Sequence, residues 1–360
     1  MNTSTEALPR QPSYATPTPH PSLGDDVVLQ LHPKGIPMFV MPASERFKTD
    51  FQAFRQWFVE HEDTLDELLR TYGALRFRGF PIRETEQFAA MTAHYPPAQM
   101  GYTGGGTPRA AVAGKVFEST RVDERYSIRL HQEMSYLPHF PYKLAFYSKV
   151  PATTGGATSI CDIRKVEALA PQALLDDVER RGVMYRRNFR DGSASTEGWH
   201  PVLVDVHRSW QDAFGSADKA EVQSQVEAMG LQGEWLPDGS LQTTYVNTGF
   251  VVHPVTRERH WFNQINQYMP TDADAIWPAL CQQYGDGSPK YSEVRYGDGE
   301  PIPLALLHEL RRANFLVTVD EPWLENEVMI LDNIICCHGR QPYTGKRETL
   351  VQLFGSGSHD

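Results

Sequence analysis

Apolar residues return at helical spacing between positions 51 and 71. Phe51, Phe54, Phe58, Leu65, Leu68 and Leu69 share one face, and Gly73 is placed to stop the helix. A strand is expected over 75–80 and a short helix over 84–94. Further on the period changes. Short runs at 127–134, 143–150, 157–161, 184–189, 242–252, 260–265, 327–337 and 348–354 read as strands. A helix over 163–181 is broken at Pro171 and closed by Gly182, and another is expected over 304–313. Residues 190–230 read as a polar, helix-bearing insertion, and Asp238-Gly239 between Trp235 and Leu241 is a hairpin signal. Many short strands in a helical frame indicate a closed or double-layered β core, in a mixed α/β chain. No linker-like composition interrupts 30–355, so a single domain over 28–360 is expected.

The first 27 residues have a different character. Pro9, Pro12, Pro17, Pro19 and Pro21 stand among Ser and Thr, so 1–27 is expected to be a disordered leader. It lacks the charged n-region and apolar centre of a secretory signal, and no run in the chain nears the ~18 apolar residues of a membrane span. Charge narrows the partners further. The balance of 34 basic against 45 acidic residues gives −11, without the basic runs that nucleic acid demands. Cys161, Cys281, Cys336 and Cys337 have no disulfide-framework spacing, which fits reduced thiols and a cytoplasmic setting.

The candidate chemistry is concentrated in a few residues. His131 and Glu133 lie two apart in the strand-like segment 127–134, where such residues point to one face. With a distant His338 they form the two-histidine, one-carboxylate set that leaves positions open on a non-haem iron(II) centre. The turn after His338, through Gly339 to Lys346, lets Arg347 begin an antiparallel neighbour of the His338 strand and face the same cavity. A guanidinium there can grip the carboxylate of a dicarboxylic co-substrate, and Thr158, after Gly155-Gly156, can donate a hydroxyl to it. A zinc hydrolase can use the same three ligands, and a cupin-like barrel can bind small molecules without catalysis. The first gives Arg347 and Thr158 no role, and the second has no need of an intact triad.

Longer stretches around these residues carry a resemblance. They are Tyr72-Gly73-Ala74-Leu75-Arg76-Phe77-Arg78-Gly79-Phe80, His131-Gln132-Glu133-Met134-Ser135-Tyr136, Pro151-Ala152 with Gly155-Gly156-Ala157-Thr158, and Arg187-Asn188-Phe189. Trp261-Phe262-Asn263-Gln264 and Leu331-Asp332-Asn333 follow, the latter running on to His338-Gly339-Arg340-Gln341-Pro342-Tyr343-Thr344-Gly345-Lys346-Arg347. In this order the chain from Tyr72 to Phe354 resembles the taurine dioxygenase-like superfamily of iron(II)/2-oxoglutarate oxygenases. Within it, the likeness is to the syringomycin-type branch of peptide natural-product pathways.

The resemblance implies a double-stranded β-helix, a jelly-roll or cupin-like barrel with flanking helices. It also implies Fe(II), 2-oxoglutarate and dioxygen as cofactor and co-substrates. His131, Glu133 and His338 fall on the iron ligands, Arg347 on the arginine that pairs with the distal carboxylate of 2-oxoglutarate, and Thr158 on the assisting hydroxyl. Arg109, Arg187 and Asn263 fall in matching stretches and are expected to contact the substrate. The implied activity is oxidation of an unactivated C–H bond, with hydroxylation as the default and desaturation or cyclisation as alternatives. The implied substrate is an amino acid or a derived metabolite, free or tethered to a carrier protein. Gln132 stands where the branch usually has Asn, and Asn266 and Gln267 stand where it usually has His; both departures are expected near the substrate.

Overall fold

The computed structural model describes residues 13–98, 111–113, 116–118, 122–285 and 291–359. Its backbone is a nine-stranded sheet. In spatial order the strands are Thr18–His20, Gly24–Leu31, Met38–Pro42, Ala74–Phe77, Glu327–Asp332, Lys143–Val150, Glu348–Phe354, Val116–Glu118 and Ala111–Ala113. All neighbours are antiparallel except Met38–Pro42 with Ala74–Phe77. The central strands are buried on both faces, so they read as continuous apolar runs instead of alternating ones.

Each central strand sends alternate side chains to opposite sides. Ala145, Tyr147, Val328, Ile330 and Leu350 pack with Phe54, Trp57, Phe58, Leu65 and Leu69 from the helices Phe51–Glu60 and Glu62–Tyr72. Leu144, Phe146, Met329, Leu331, Val351 and Leu353 face the other way. They join a second core shared with two smaller sheets. One holds Ile160–Asp162, Cys336–Arg340 and Ile128–His131. The other holds Gln232–Trp235, Leu241–Asn247, Val183–Phe189 and Ser292–Tyr296. The candidate site lies on this second side.

Several expected elements hold with local changes. The helix expected over 51–71 divides at His61, and Asp50 caps its first half by accepting from the Ala53 N–H at 3.0 Å. The helix over 163–181 divides at Pro171 into Ile163–Leu169 and Gln172–Arg181. The run at 327–337 is two strands, broken where Asp332 accepts from the Ile334 and Ile335 N–H groups. The insertion at 190–230 carries the helices Pro201–Val206, Trp210–Phe214 and Lys219–Ala228.

The expected leader over 1–27 needs correction in its second half. Thr18–His20 and Gly24–Leu31 are paired strands, with Leu23 and Val27 buried and the Trp57 indole donating to the Leu23 carbonyl. Proline suggested disorder, yet Pro19 sits on an edge strand, where a missing N–H costs the sheet little. Among the described residues, no helix is long and apolar enough to cross a membrane.

The insertion is tied to the four-stranded sheet by His207. Its Nε2–H donates to the Asn188 side-chain oxygen at 2.7 Å, and its Nδ1 accepts from the Tyr284 hydroxyl at 2.8 Å. Burial pushes the His207 pKa down to about 4. Below pH ~6.5 the unfolded chain therefore takes up this proton before the folded one does. The associated stability is complete above pH ~6.5 and drains away toward pH 4, by at most on the order of 3 kcal/mol. Urea unfolding at pH 7 and pH 5 should show a smaller acid-induced drop in His207→Gln than in the wild type. An equal drop would assign the acid sensitivity to other groups.

Candidate active site

The strand Cys336–Arg340 lies between Ile160–Asp162 and Ile128–His131, so its centre is covered on both edges. His338 is directly opposite His131 in this antiparallel pair, which sends both imidazoles to the same face. Their ring centroids are 4.3 Å apart. The register then slips, with Arg340 opposite Ile128, so one extra residue on the neighbouring strand bends the pair. Glycine follows His338 for this reason: a Cβ at 339 would stand 2.5 Å from the Ile128 carbonyl oxygen.

Glu133 is not on the strand, contrary to the reading of 127–134 as one extended segment. The strand ends at His131, and a turn begins at Glu133. Two features aim this carboxylate. Met134 takes a left-handed backbone, φ 60°, which is uncommon for a side chain of its size. The fully buried Asn333 grips the Glu133 main chain at both ends, its Oδ1 accepting from the Glu133 N–H at 2.7 Å and its Nδ2 donating to the Glu133 carbonyl at 3.0 Å. Gln132, expected near the substrate, points away from it. Its amide donates to the Trp261 and Ile334 carbonyls, both at 2.8 Å, and so ties the turn to two other segments.

The result is a compact donor triangle. Glu133 Oε2 is 3.9 Å from His131 Nε2 and 3.4 Å from His338 Nε2, and all three side chains are at most a tenth exposed. They are the group among the described residues able to hold a metal ion. His131 Nδ1 lies 2.9 Å from the Arg129 carbonyl, which can only accept, so the proton sits on Nδ1 and Nε2 presents its lone pair. Among the described residues, the buried His338 Nδ1 has no hydrogen-bond partner, whereas its Nε2 faces the carboxylate. Two nitrogen donors and one carboxylate on one side fit a divalent iron with open positions opposite.

Arg347 does not begin a neighbour of the His338 strand. Glu348–Phe354 joins the large sheet beside Lys143–Val150, while Cys336–Arg340 stays in the three-stranded one. The chain crosses between them through Tyr343–Thr344, which pairs with Thr154–Gly155. Arg347 still reaches the loop before Ile160, where its Nε donates to the Gly156 carbonyl at 3.0 Å. Gly156 has φ 70°, and a Cβ there would crowd Ala152 at 2.7 Å and the Arg347 Cδ at 3.3 Å. Burial, then the nearby Arg340 charge, holds the Arg347 pKa down to about 10, so a bound anion would be favourable there.

Two residues on, Thr158 accepts from the Trp323 indole N–H at 3.0 Å, which leaves its own O–H proton to donate. Trp323 is itself held under the Arg76 guanidinium, 4.3 Å from the ring centroid, and Arg76 is anchored by Glu327. Arg340 serves another purpose. It donates to the carbonyls of Val122, Asp123 and Tyr126 and fixes that loop.

A cavity opens beside His131 and Glu133. Its walls include Tyr136, Arg187, Phe189, Gln264, Gln267 and Tyr268, with Val202, Val206 and Arg208 contributed by the insertion. Of the residues expected to contact the substrate, Arg187 lines this cavity. Asn263 does not: its Nδ2 donates to the Gly249 carbonyl and its Oδ1 accepts from the Ile265 N–H, so it shapes a buried turn. Arg109 lies outside the described residues. Of the two departures at 266 and 267, Asn266 donates to the Leu130 carbonyl and Gln267 lines the cavity. Sequence reading gave Asn333 no role beyond its matching stretch and missed Trp323 and Arg208, since what these residues do rests on contacts between distant segments.

Comparison with known proteins shows the family. The model of the Taurine catabolism dioxygenase TauD, TfdA family matches residues 34–354. The Dapdiamide synthesis protein DdaC of Enterobacter agglomerans is 32% identical over 300 residues, which cover 83% of this chain and 86% of that protein. Among solved structures, the PvcB protein of Pseudomonas aeruginosa superposes with a TM-score of 0.51 at 14% identity, covering 98% of this chain and 95% of that one. AAD-2 in complex with Mn(II) and N-oxalylglycine gives 0.52 at 11% identity, covering 93% and 99%. At such identities these two likenesses show the fold alone. The family match and the DdaC relationship show more: the chain belongs to the TauD/TfdA family and is a non-haem dioxygenase that uses Fe(II), 2-oxoglutarate and dioxygen.

Proposed function

We propose that this protein oxidises an unactivated C–H bond of an amino acid or an amino-acid-derived metabolite, with hydroxylation as the default outcome. The observation that carries this reading is the donor triangle of His131, Glu133 and His338, the first two of which line a cavity walled by aromatic, amide and arginine side chains. In this reading His131 Nε2, His338 Nε2 and a Glu133 oxygen hold Fe(II). Two neutral imidazoles and one carboxylate reduce its charge to about one unit and leave one side open. The enclosing fold is read as a double-stranded β-helix, with the large sheet and the smaller ones as its two walls. A dapdiamide synthesis protein among the relatives supports a natural-product role.

Arg347 and Thr158 would anchor the distal carboxylate of 2-oxoglutarate, the first by charge and the second by a directed O–H. Bound iron and 2-oxoglutarate supply the oxidant, consuming dioxygen and releasing succinate and carbon dioxide. The chain's own work is to aim one C–H bond and to keep water away. Tyr136, Phe189 and Tyr268 give the cavity apolar walls, while Asn333 and Gln132 keep Glu133 from swinging out.

Activity should require Fe(II), 2-oxoglutarate and dioxygen together, and His131→Ala or His338→Ala should lose both bound iron and succinate formation. Full turnover under strict anoxia, or with zinc in place of iron, would sink the reading. Asn333→Ala should lower iron affinity about 10- to 100-fold, although it removes no ligand, because Glu133 loses its support. Metal titration followed by elemental analysis reads this directly.

Arg347→Ala should weaken 2-oxoglutarate by about 2–5 kcal/mol, and so by at least roughly tenfold in calorimetric titration. Thr158→Val should cost about 1 kcal/mol. A silent Arg347→Ala beside a large effect of Arg340→Ala on 2-oxoglutarate affinity would show that the anchor is the other arginine.

A further inference from the structure

Between the helix Leu304–Val317 and the strand Glu327–Asp332 the chain runs as Thr318-Val319-Asp320-Glu321-Pro322-Trp323. Pro322 biases the residue before it toward extended backbone and has no N–H of its own to satisfy. The segment lies along the residues that lead into Ile160–Asp162. Val319 and Ile160 exchange backbone hydrogen bonds at 3.0 and 2.9 Å, and the Ser159 hydroxyl donates to the Asp320 carboxylate. The Trp323 indole donates to Thr158 at 3.0 Å. Thr158, Ser159 and Ile160 are thus each met by one residue of this segment.

Other partners, all remote in sequence, fasten the segment. Arg76 donates to the Glu321 and Pro322 carbonyls at 3.1 and 2.6 Å, and Lys34 Nζ donates to the Thr318 carbonyl at 2.6 Å. The Glu321 carboxylate accepts from Arg78 at 3.1 Å on one oxygen and from the Tyr14 hydroxyl at 2.7 Å on the other. Burial works against the Glu321 charge, but the Tyr14 and Arg78 hydrogen bonds outweigh it and hold the pKa below the usual carboxylate value. Tyr14 stands ahead of the first strand, Thr18–His20, and its ring meets His32 and Phe39 edge-on, with centroids 5.5 and 6.0 Å away. A residue from the stretch that composition marked as a leader therefore bonds to the segment that backs Thr158.

We propose that Tyr14 and Glu321 are positioning residues for 2-oxoglutarate, acting through Trp323 and Thr158. Tyr14 and Arg78 fix Glu321, and Glu321 keeps the neighbouring Trp323 turned so that its N–H occupies a Thr158 lone pair. The Thr158 proton is then left to point at the distal carboxylate. The inference rests on the reading of Thr158 above and extends it to residues that are not on the cavity wall. A threonine hydroxyl released from the indole can rotate and donate to a nearby carbonyl instead, so the loss falls on the co-substrate and not on the metal.

The test is calorimetric titration of 2-oxoglutarate into the full-length protein with Fe(II) under anoxia, run as a double-mutant cycle. Tyr14→Phe, Glu321→Gln and Trp323→Phe should each weaken 2-oxoglutarate about two- to fivefold, no more than Thr158→Val does, because each acts through that one hydroxyl. Iron affinity should not move. In a Thr158→Val background the same substitutions should cause no further loss. An equal loss in both backgrounds overturns the inference, since it assigns the effect to general loosening. Silence of either Tyr14→Phe or Glu321→Gln does so too, as does a fall in iron affinity that matches the fall for 2-oxoglutarate. If Glu321→Gln fails to fold, Tyr14→Phe carries the comparison through the same cycle. Thr158→Val separates the two levels. Its silence sinks the reading of that hydroxyl as an anchor, and this inference with it. A Thr158→Val loss that simply adds to that of Glu321→Gln sinks the positioning role alone.

Discussion

The grip of Asn333 on the Glu133 main chain is the contact on which the site depends. Asn333 sits between Glu327–Asp332 of the large sheet and Cys336–Arg340 of the small one. Its amide also donates to the Pro141 carbonyl at 2.8 Å, just before Lys143–Val150. One buried side chain thus locks the turn bearing the carboxylate to the junction of two sheets, and the same junction leads directly into the strand bearing His338. A buried amide in this position is held because leaving any of its partners unsatisfied would cost about 1–3 kcal/mol each. The three donors are fixed relative to one another by the sheet framework rather than by a flexible loop.

The framework can do this because its large sheet is covered on both sides. Helices fill one face, and the other presents Phe146, whose ring lies 5.3 Å from His338. Both faces are packed in hydrophobic cores, and the site lies on the side of the second one. The buried Arg76–Glu327 pair on the strands has a consequence for the site. Arg76 is satisfied by Glu327 and by the Glu321 and Pro322 carbonyls, and it holds Trp323 in place to donate to Thr158.

Cations are distributed with a purpose. Arg340 is consumed by three backbone carbonyls, whereas Arg347 is buried with the Arg340 charge nearby, and Arg187 and Arg208 reach the cavity from separate elements. The chain's overall acidity gave no hint of this. Local field, not net charge, decides which ligands a cavity accepts.

Local pattern was enough for much of the architecture. The helical period over 51–71, the hairpin at Asp238-Gly239 and the strands at 143–150 and 348–354 all follow from neighbours in sequence, because backbone hydrogen bonding and side-chain alternation are local constraints. The spacing of His131 and Glu133 and the motif text around His338 also marked the donor residues. Tertiary structure decided the rest. Only the register of Cys336–Arg340 against Ile128–His131 sets His338 opposite His131, and only the crossing to the large sheet brings Arg347 to Gly156. Pro19 showed the limit of composition, since a residue that favours disorder is harmless on a sheet edge. Asn333, Trp323 and Arg208 were illegible for one reason: their meaning lies in partners far along the chain, and periodicity carries no information about those.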